Sequence, residues 1–91
     1  MILVYILPTY MLSKSDIIEF LTNFYFVQDA TKIPMFKDTL SKVIRSTANL
    51  NKQNRKYSFI LELLRDIETY QDKQVPNMEY RLLEACRTLR E

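Results

Sequence analysis

The chain has 91 residues, a formal charge of +2 from 13 basic and 11 acidic side chains, and a hydrophobic fraction of 47%. That length fits one small domain, and the balance of apolar and charged residues is that of a folded chain rather than a disordered one. With no Gly, no His and no Trp, it has no glycine loop for phosphates, no dinucleotide fingerprint, no nucleophile elbow and no histidine relay or metal site.

Cys86 is the only cysteine. It rules out an internal disulfide and a paired-thiolate metal site, and it fits a reducing, cytoplasmic location. The expectation is a protein without catalytic residues, cofactor or bound metal, that is, not an enzyme. A charge of +2 is too small by itself to argue for DNA or an anionic membrane.

Residues 1–12 read as an N-terminal extension to a domain over residues 13–91. The run Ile2-Leu3-Val4-Tyr5-Ile6-Leu7, closed by Pro8, is too short to span a bilayer, which takes about 20 residues. It has neither the basic start nor the small-residue cleavage site of a secretory signal. Two readings stay open: an extended segment packed on a helical core, or an upstream artefact with translation starting at Met11.

The first helix is predicted over residues 14–28. Ser13 and Asp16 have the spacing of a capping pair, with Ser15 as the rival cap. Ile17, Leu21, Phe24 and Gln28 form one stripe, with Ile18 and Tyr25 beside it. Phe20, Phe26 and Val27 widen the apolar surface almost all round, so this helix is buried on several sides or meets a partner. A strand over residues 24–27 is the competing assignment. The 3.6-residue spacing across the whole segment favours helix.

The second helix is predicted over residues 34–50, with Pro34 at a first-turn position where its missing N–H costs nothing. Phe36, Leu40, Val43, Ile44, Thr47 and Leu50 form its apolar stripe, and Lys37, Asp38, Lys42, Arg45 and Asn49 its polar side. Residues 49–55 hold three asparagines and read as a polar connection. Asn there is expected to supply the left-handed helix ending that Gly would otherwise provide.

The third helix is predicted over residues 56–71, on a stripe of Tyr57, Ile60, Leu61, Leu64 and Ile67 flanked by Phe59 and Leu63. Glu62, Arg65, Asp66 and Glu68 are expected to face solvent. The three carboxylates suggest no cleft of the kind an acid/base pair needs. The fourth helix is predicted over residues 76–90, opened by Pro76, with Met78, Leu82, Ala85, Cys86 and Leu89 on one face. Arg87 and Arg90 suit the negative end of its dipole. Cys86 on that apolar face is expected to be buried and inert, although two arginines are near in sequence. Four amphipathic segments with short connections predict an all-α fold, an antiparallel up-down four-helix bundle.

Two surface features suggest partners. From Lys37 to Arg65 seven basic residues oppose two acidic ones, a net +5. Within this segment Lys42, Arg45, Lys52, Arg55 and Lys56 form a candidate basic patch for nucleic acid or another acidic partner in a small binding or regulatory module. The plainer reading is a solvated helix face, since no aromatics are interleaved for base stacking and Tyr57 falls on the core stripe. The aromatic group Phe20, Phe24, Tyr25 and Phe26 reads first as core. Its surplus could serve a homodimer through the first helix, or a subunit contact in a helical oligomer.

The order of elements also resembles the immunity proteins of pediocin-like (class IIa) bacteriocins. The residues that carry the resemblance are Ile33-Pro34-Met35-Phe36-Lys37-Asp38-Thr39-Leu40-Ser41-Lys42-Val43 and Leu50-Asn51-Lys52-Gln53. Phe59-Ile60-Leu61-Glu62-Leu63-Leu64 and Tyr80-Arg81-Leu82-Leu83-Glu84-Ala85-Cys86-Arg87-Thr88-Leu89 complete it. The resemblance implies a cytosolic four-helix bundle that protects a bacterium from its own pore-forming peptide. Such a protein acts without chemistry, on the complex of peptide and membrane receptor. By position it implies Arg65, Glu68, Lys73, Asn77, Arg81 and Glu84 as partner-binding residues.

Overall fold

The computed structural model describes residues 11–26, 33–70 and 75–91, and only the backbone of residues 33–35. Four helices follow in order: α1 (Lys14–Phe26), α2 (Ile33–Gln53), α3 (Ser58–Tyr70) and α4 (Met78–Arg90). A 3-10 turn, Arg55–Tyr57, leads into α3. Each helix packs on the one before it, and α4 closes the ring against α1. The diagonal pairs α1–α3 and α2–α4 make no Cα approach within 8 Å among the described residues.

The chain direction alternates around that ring. Leu12, just before α1, donates its backbone N–H to Ser46 Oγ in the C-terminal half of α2 at 2.8 Å. Lys14 of α1 and Lys56 before α3 both stand over the Tyr57 ring, and Lys56 pairs with Glu91 after α4 at 3.5 Å. The starts of α1 and α3 and the ends of α2 and α4 therefore share one end of the molecule. The fold is the predicted all-α, antiparallel four-helix bundle.

Ser13, not Ser15, caps α1. Its Oγ accepts from the Asp16 backbone N–H at 3.2 Å, and Asp16 Oδ2 accepts from the Ser13 backbone N–H at 3.0 Å. The exchange satisfies two of the donors that a helix start leaves unpaired. Phe24 and Phe26 lie within α1, so the strand alternative fails over them; residues 27 and 28 fall outside the described set. Ile17, Phe20, Leu21 and Phe24 are buried. Phe20, Phe24 and Phe36 form an aromatic trio with centroid separations of 5.6 to 6.2 Å, two of the three contacts edge-to-face, the geometry ring quadrupoles favour.

α2 is longer than predicted. It starts at Ile33 and runs through Gln53, so most of the expected polar connection is helix. Asn is a weak helix former, but a preference of a fraction of a kcal/mol per residue yields when the helix packs on a neighbour. The last turns of α2 lie against the 3-10 turn and α3, with Thr47 buried and Leu50 packed on the core. The connection reduces to Asn54, whose side chain accepts from the Lys56 backbone N–H at 3.0 Å.

The left-handed asparagine also stands elsewhere than expected. Asn54 is extended at φ −155°, while Asn77 takes φ 54°, ψ 34° immediately before α4. Pro76 consequently lies in a turn, not in the first turn of α4, which begins at Met78. The chain must reverse sharply there, and Asn accepts the left-handed region at lower cost than most residues with a side chain.

The core draws on every helix: Ile17 and Leu21, Leu40 and Val43, Ile60, Leu63, Leu64 and Ile67, and Leu82, Ala85 and Leu89, with Tyr57 and Val75 from the connections. Leu63, expected to flank the α3 stripe, is wholly buried, and Leu61 is half-buried. Each fully buried Leu or Ile contributes about 2 kcal/mol of transfer free energy. Burial of these faces, more than caps or surface ion pairs, holds the bundle together. No helix among the described residues is long and apolar enough to cross a membrane.

Candidate partner-binding surfaces

Of the six residues implied as partner-binding, the five that are described do not form one surface. Lys73 lies outside the described residues. Glu68 lines a depression with Phe36, Lys37, Leu40 and Ser41 of α2, away from α4. Arg65 is exposed on α3. Arg81 and Glu84, three residues apart, lie along one face of α4, and Asn77, the residue before the helix, adjoins them through the bond its carbonyl oxygen accepts from the Arg81 backbone N–H.

The residue that joins this stripe to α3 is Asp66, which sequence periodicity placed in solvent. It is half-buried, and its Oδ2 pairs with an Arg81 guanidinium nitrogen at 2.8 Å. The same nitrogen donates to the Pro76 carbonyl oxygen at 3.2 Å, and the Arg81 backbone N–H closes the first turn of α4 on the Asn77 carbonyl at 3.0 Å. One arginine thus fixes the turn, the start of α4 and the α3–α4 contact. Glu84 sits one turn further along, 3.6 Å from Arg87.

The basic patch divides in two. Lys42, Arg45 and Lys52 share one exposed face of α2, and Arg45 and Lys52 line a shallow depression with Met11, Ala48 and Asn49. Asp38, one turn before Lys42, opposes them on the same face. Arg55 and Lys56 lie at the end of the bundle in the 3-10 turn, where Lys56 is engaged with Glu91. The Lys56 and Lys14 ammonium groups stand 5.3 and 5.6 Å from the centroid of the Tyr57 ring. A hydrogen bond with Lys14 holds the Tyr57 phenol below its ordinary pKa of 10.0; the charges of Lys14 and Lys56 add to this, and burial opposes it.

Sequence periodicity missed the α4 side of an apolar open groove. The groove, of about 240 Å³, runs between α1 and α4, walled by Leu21, Tyr25, Leu82 and Leu83 with Cys86 among them. Phe26 and Leu83 on its wall are 66 and 63% exposed, and Tyr80, elsewhere on α4, is 66% exposed. The signal was present in the sequence, since Tyr80 and Leu83 fall off the stripe of Met78, Leu82, Ala85 and Leu89. Cys86 is half-buried rather than fully buried. Burial raises its pKa, against the opposing influence of Arg90 and of a hydrogen bond with Thr22.

Among the described residues no group of three His, Cys, Asp or Glu side chains could hold a metal ion. No protein-family model, curated protein or solved structure matches the chain.

Proposed function

We propose that the protein is a non-catalytic cytoplasmic binding protein of the bacteriocin-immunity type, which protects a bacterial cell by acting on the complex of a pore-forming peptide with its membrane receptor. The observation that carries this reading is the group of Asn77, Arg81 and Glu84, in which Arg81 is locked to α3 through Asp66. An arginine held by an ion pair and a carbonyl loses little side-chain freedom on meeting a partner, which is what the centre of a recognition surface needs. The order and packing of the four helices agree with the same reading.

Expression of residues 11–91 in a bacterium sensitive to pediocin-like peptides tests it. The expected result is growth in the presence of at least one peptide of a panel. Glu84→Lys should reduce that protection while the helical circular dichroism stays unchanged. A soluble, helical protein that protects against no peptide of the panel overturns the reading.

A second reading rests on the exposed face of Lys42, Arg45 and Lys52, which suits phosphates. Binding there would weaken with salt at a log–log slope of about −0.9 per duplex phosphate contacted. Absent or salt-insensitive binding to DNA and RNA rejects it.

A further inference from the structure

The outward face of α4 has a symmetry that its sequence makes plain. Met78, Leu82, Ala85 and Leu89 point into the core, and Glu79, Tyr80, Leu83, Arg87 and Arg90 are exposed. Leu83 lies midway, four residues after Glu79 and four before Arg87. One helical turn on either side of an exposed leucine there is thus a carboxylate and a guanidinium.

We propose that α4 pairs antiparallel with α4 of a second copy of this chain, about a two-fold axis at Leu83. This arrangement sets Glu79 opposite the partner's Arg87 and Arg87 opposite the partner's Glu79, so both ion pairs form at once. A parallel pairing would face Glu79 with Glu79 and Arg87 with Arg87, and like charges directly opposed are repulsive. The charge order therefore selects both the occupant and its direction. An interface of this kind is isologous, the commonest form of soluble assembly.

The apolar residues fit the same axis. Leu83 meets the partner's Leu83 at the centre. Tyr80 falls opposite the partner's Cys86, in the groove between α1 and α4, whose volume of about 240 Å³ has room for an aromatic side chain. Phe26, 66% exposed at the end of α1, extends the apolar surface beyond α4. The existing partners are easily exchanged. Arg87 is 3.6 Å from Glu84 with its side chain 74% exposed, and Glu79 has no ion pair among the described residues.

The face used here adjoins the Asn77–Arg81–Glu84 stripe, since Arg87 lies 3.6 Å from Glu84, but the Glu79–Leu83–Arg87 pattern includes none of that stripe's residues, so the dimer does not rest on the immunity reading. A contact built from one helix pair and a flanking phenylalanine is smaller than a standard interface of about 1,600 Å², which implies a micromolar, concentration-dependent dimer.

Sedimentation velocity on the full chain, from about 1 to about 500 μM, tests the pairing. The wild type should move from monomer to dimer within that range. Glu79→Arg and Arg87→Glu should each weaken self-association at least about tenfold with unchanged helical circular dichroism. An equimolar mixture of the two variants should dimerise again, because each supplies the charge the other needs on both sides of the axis. Neither a folding defect nor a general loss of solubility would produce that recovery. A wild type that stays monomeric at the highest concentration, a dimer indifferent to both single substitutions, or a mixture that fails to associate overturns the proposal.

Discussion

Arg81 and Asp66 meet at 2.8 Å across the α3–α4 contact, and the same guanidinium reaches the Pro76 carbonyl oxygen at 3.2 Å. The Arg81 side chain is 22% exposed and that of Asp66 40%, so water screens the pair only in part. An open surface pair contributes about 0.2–1 kcal/mol, and a hydrogen bond to a charged group somewhat more. Arg81→Ala removes both and should cost about 1–1.5 kcal/mol, lowering Tm by roughly 4–12 °C in a domain of this size. A double-mutant cycle with Asp66→Ala should show a coupling of about 0.5–1 kcal/mol that shrinks at 1 M salt, as ion screening requires. Additive losses would mean that the two residues act independently.

The reciprocal bonds between Ser13 and Asp16 are solvent-exposed, yet they set where α1 begins. Ser13→Ala should cost about 1 kcal/mol and Ser15→Ala within about 0.5 kcal/mol, because only Ser13 occupies the cap. Chemical denaturation at constant m-value distinguishes the two. Equal losses would show that the cap is shared.

The helices were legible because their apolar residues repeat at 3.6, and a burial term of about 2 kcal/mol per Leu or Ile exceeds any local preference against helix. The ends were less legible for the same reason. Asn49 and Asn51 suggested a break, but packing on α3 and the 3-10 turn carried α2 through them to Gln53. Asn77 gave no cue distinct from the other asparagines, although it alone among the described residues takes positive φ. The need for that conformation arises from how α4 must turn to meet α3. Periodicity likewise separated inside from outside without resolving the sides of a helix. Asp66 and Glu68 both lie off the α3 core stripe, yet one faces α4 and the other lies at the depression against α2.

Cys86 illustrates how burial governs reactivity. Its pKa is raised, first by desolvation and despite Arg90 and Thr22. The folded state therefore holds on to the thiol proton longer than the unfolded chain does. As pH rises past the unfolded thiol value of about 8.5, the unfolded state ionises first and stability falls. The contribution is fully present below that pH and is lost as the pH climbs through the folded value. Iodoacetamide labelling at pH 8 should be several-fold slower in the native protein than in urea. Cys86→Ala should flatten the alkaline decline in stability. Labelling at equal rates in both states would show that the thiol is not shielded.

Thr47 presents the opposite case, a polar group whose burial brings no compensating bond. It is 0% exposed, and its Oγ1 has no hydrogen-bond partner among the described residues. Its neighbour Ser46, also buried, accepts the Leu12 backbone N–H at 2.8 Å. An unsatisfied buried hydroxyl costs about 1–3 kcal/mol, whereas an apolar group of the same shape carries no such penalty. Thr47→Val keeps the branch at Cβ and replaces the hydroxyl by a methyl. It should be neutral or raise stability by about 0.5–1.5 kcal/mol. Ser46→Ala should instead destabilise by about 1–2 kcal/mol, because it leaves the Leu12 N–H without its acceptor. Two adjacent hydroxyl residues of similar burial thus respond differently, only the loss of Ser46 being destabilising, and urea denaturation of the two variants reads the difference directly. A loss of more than about 1 kcal/mol in Thr47→Val would show that Oγ1 is hydrogen-bonded in solution.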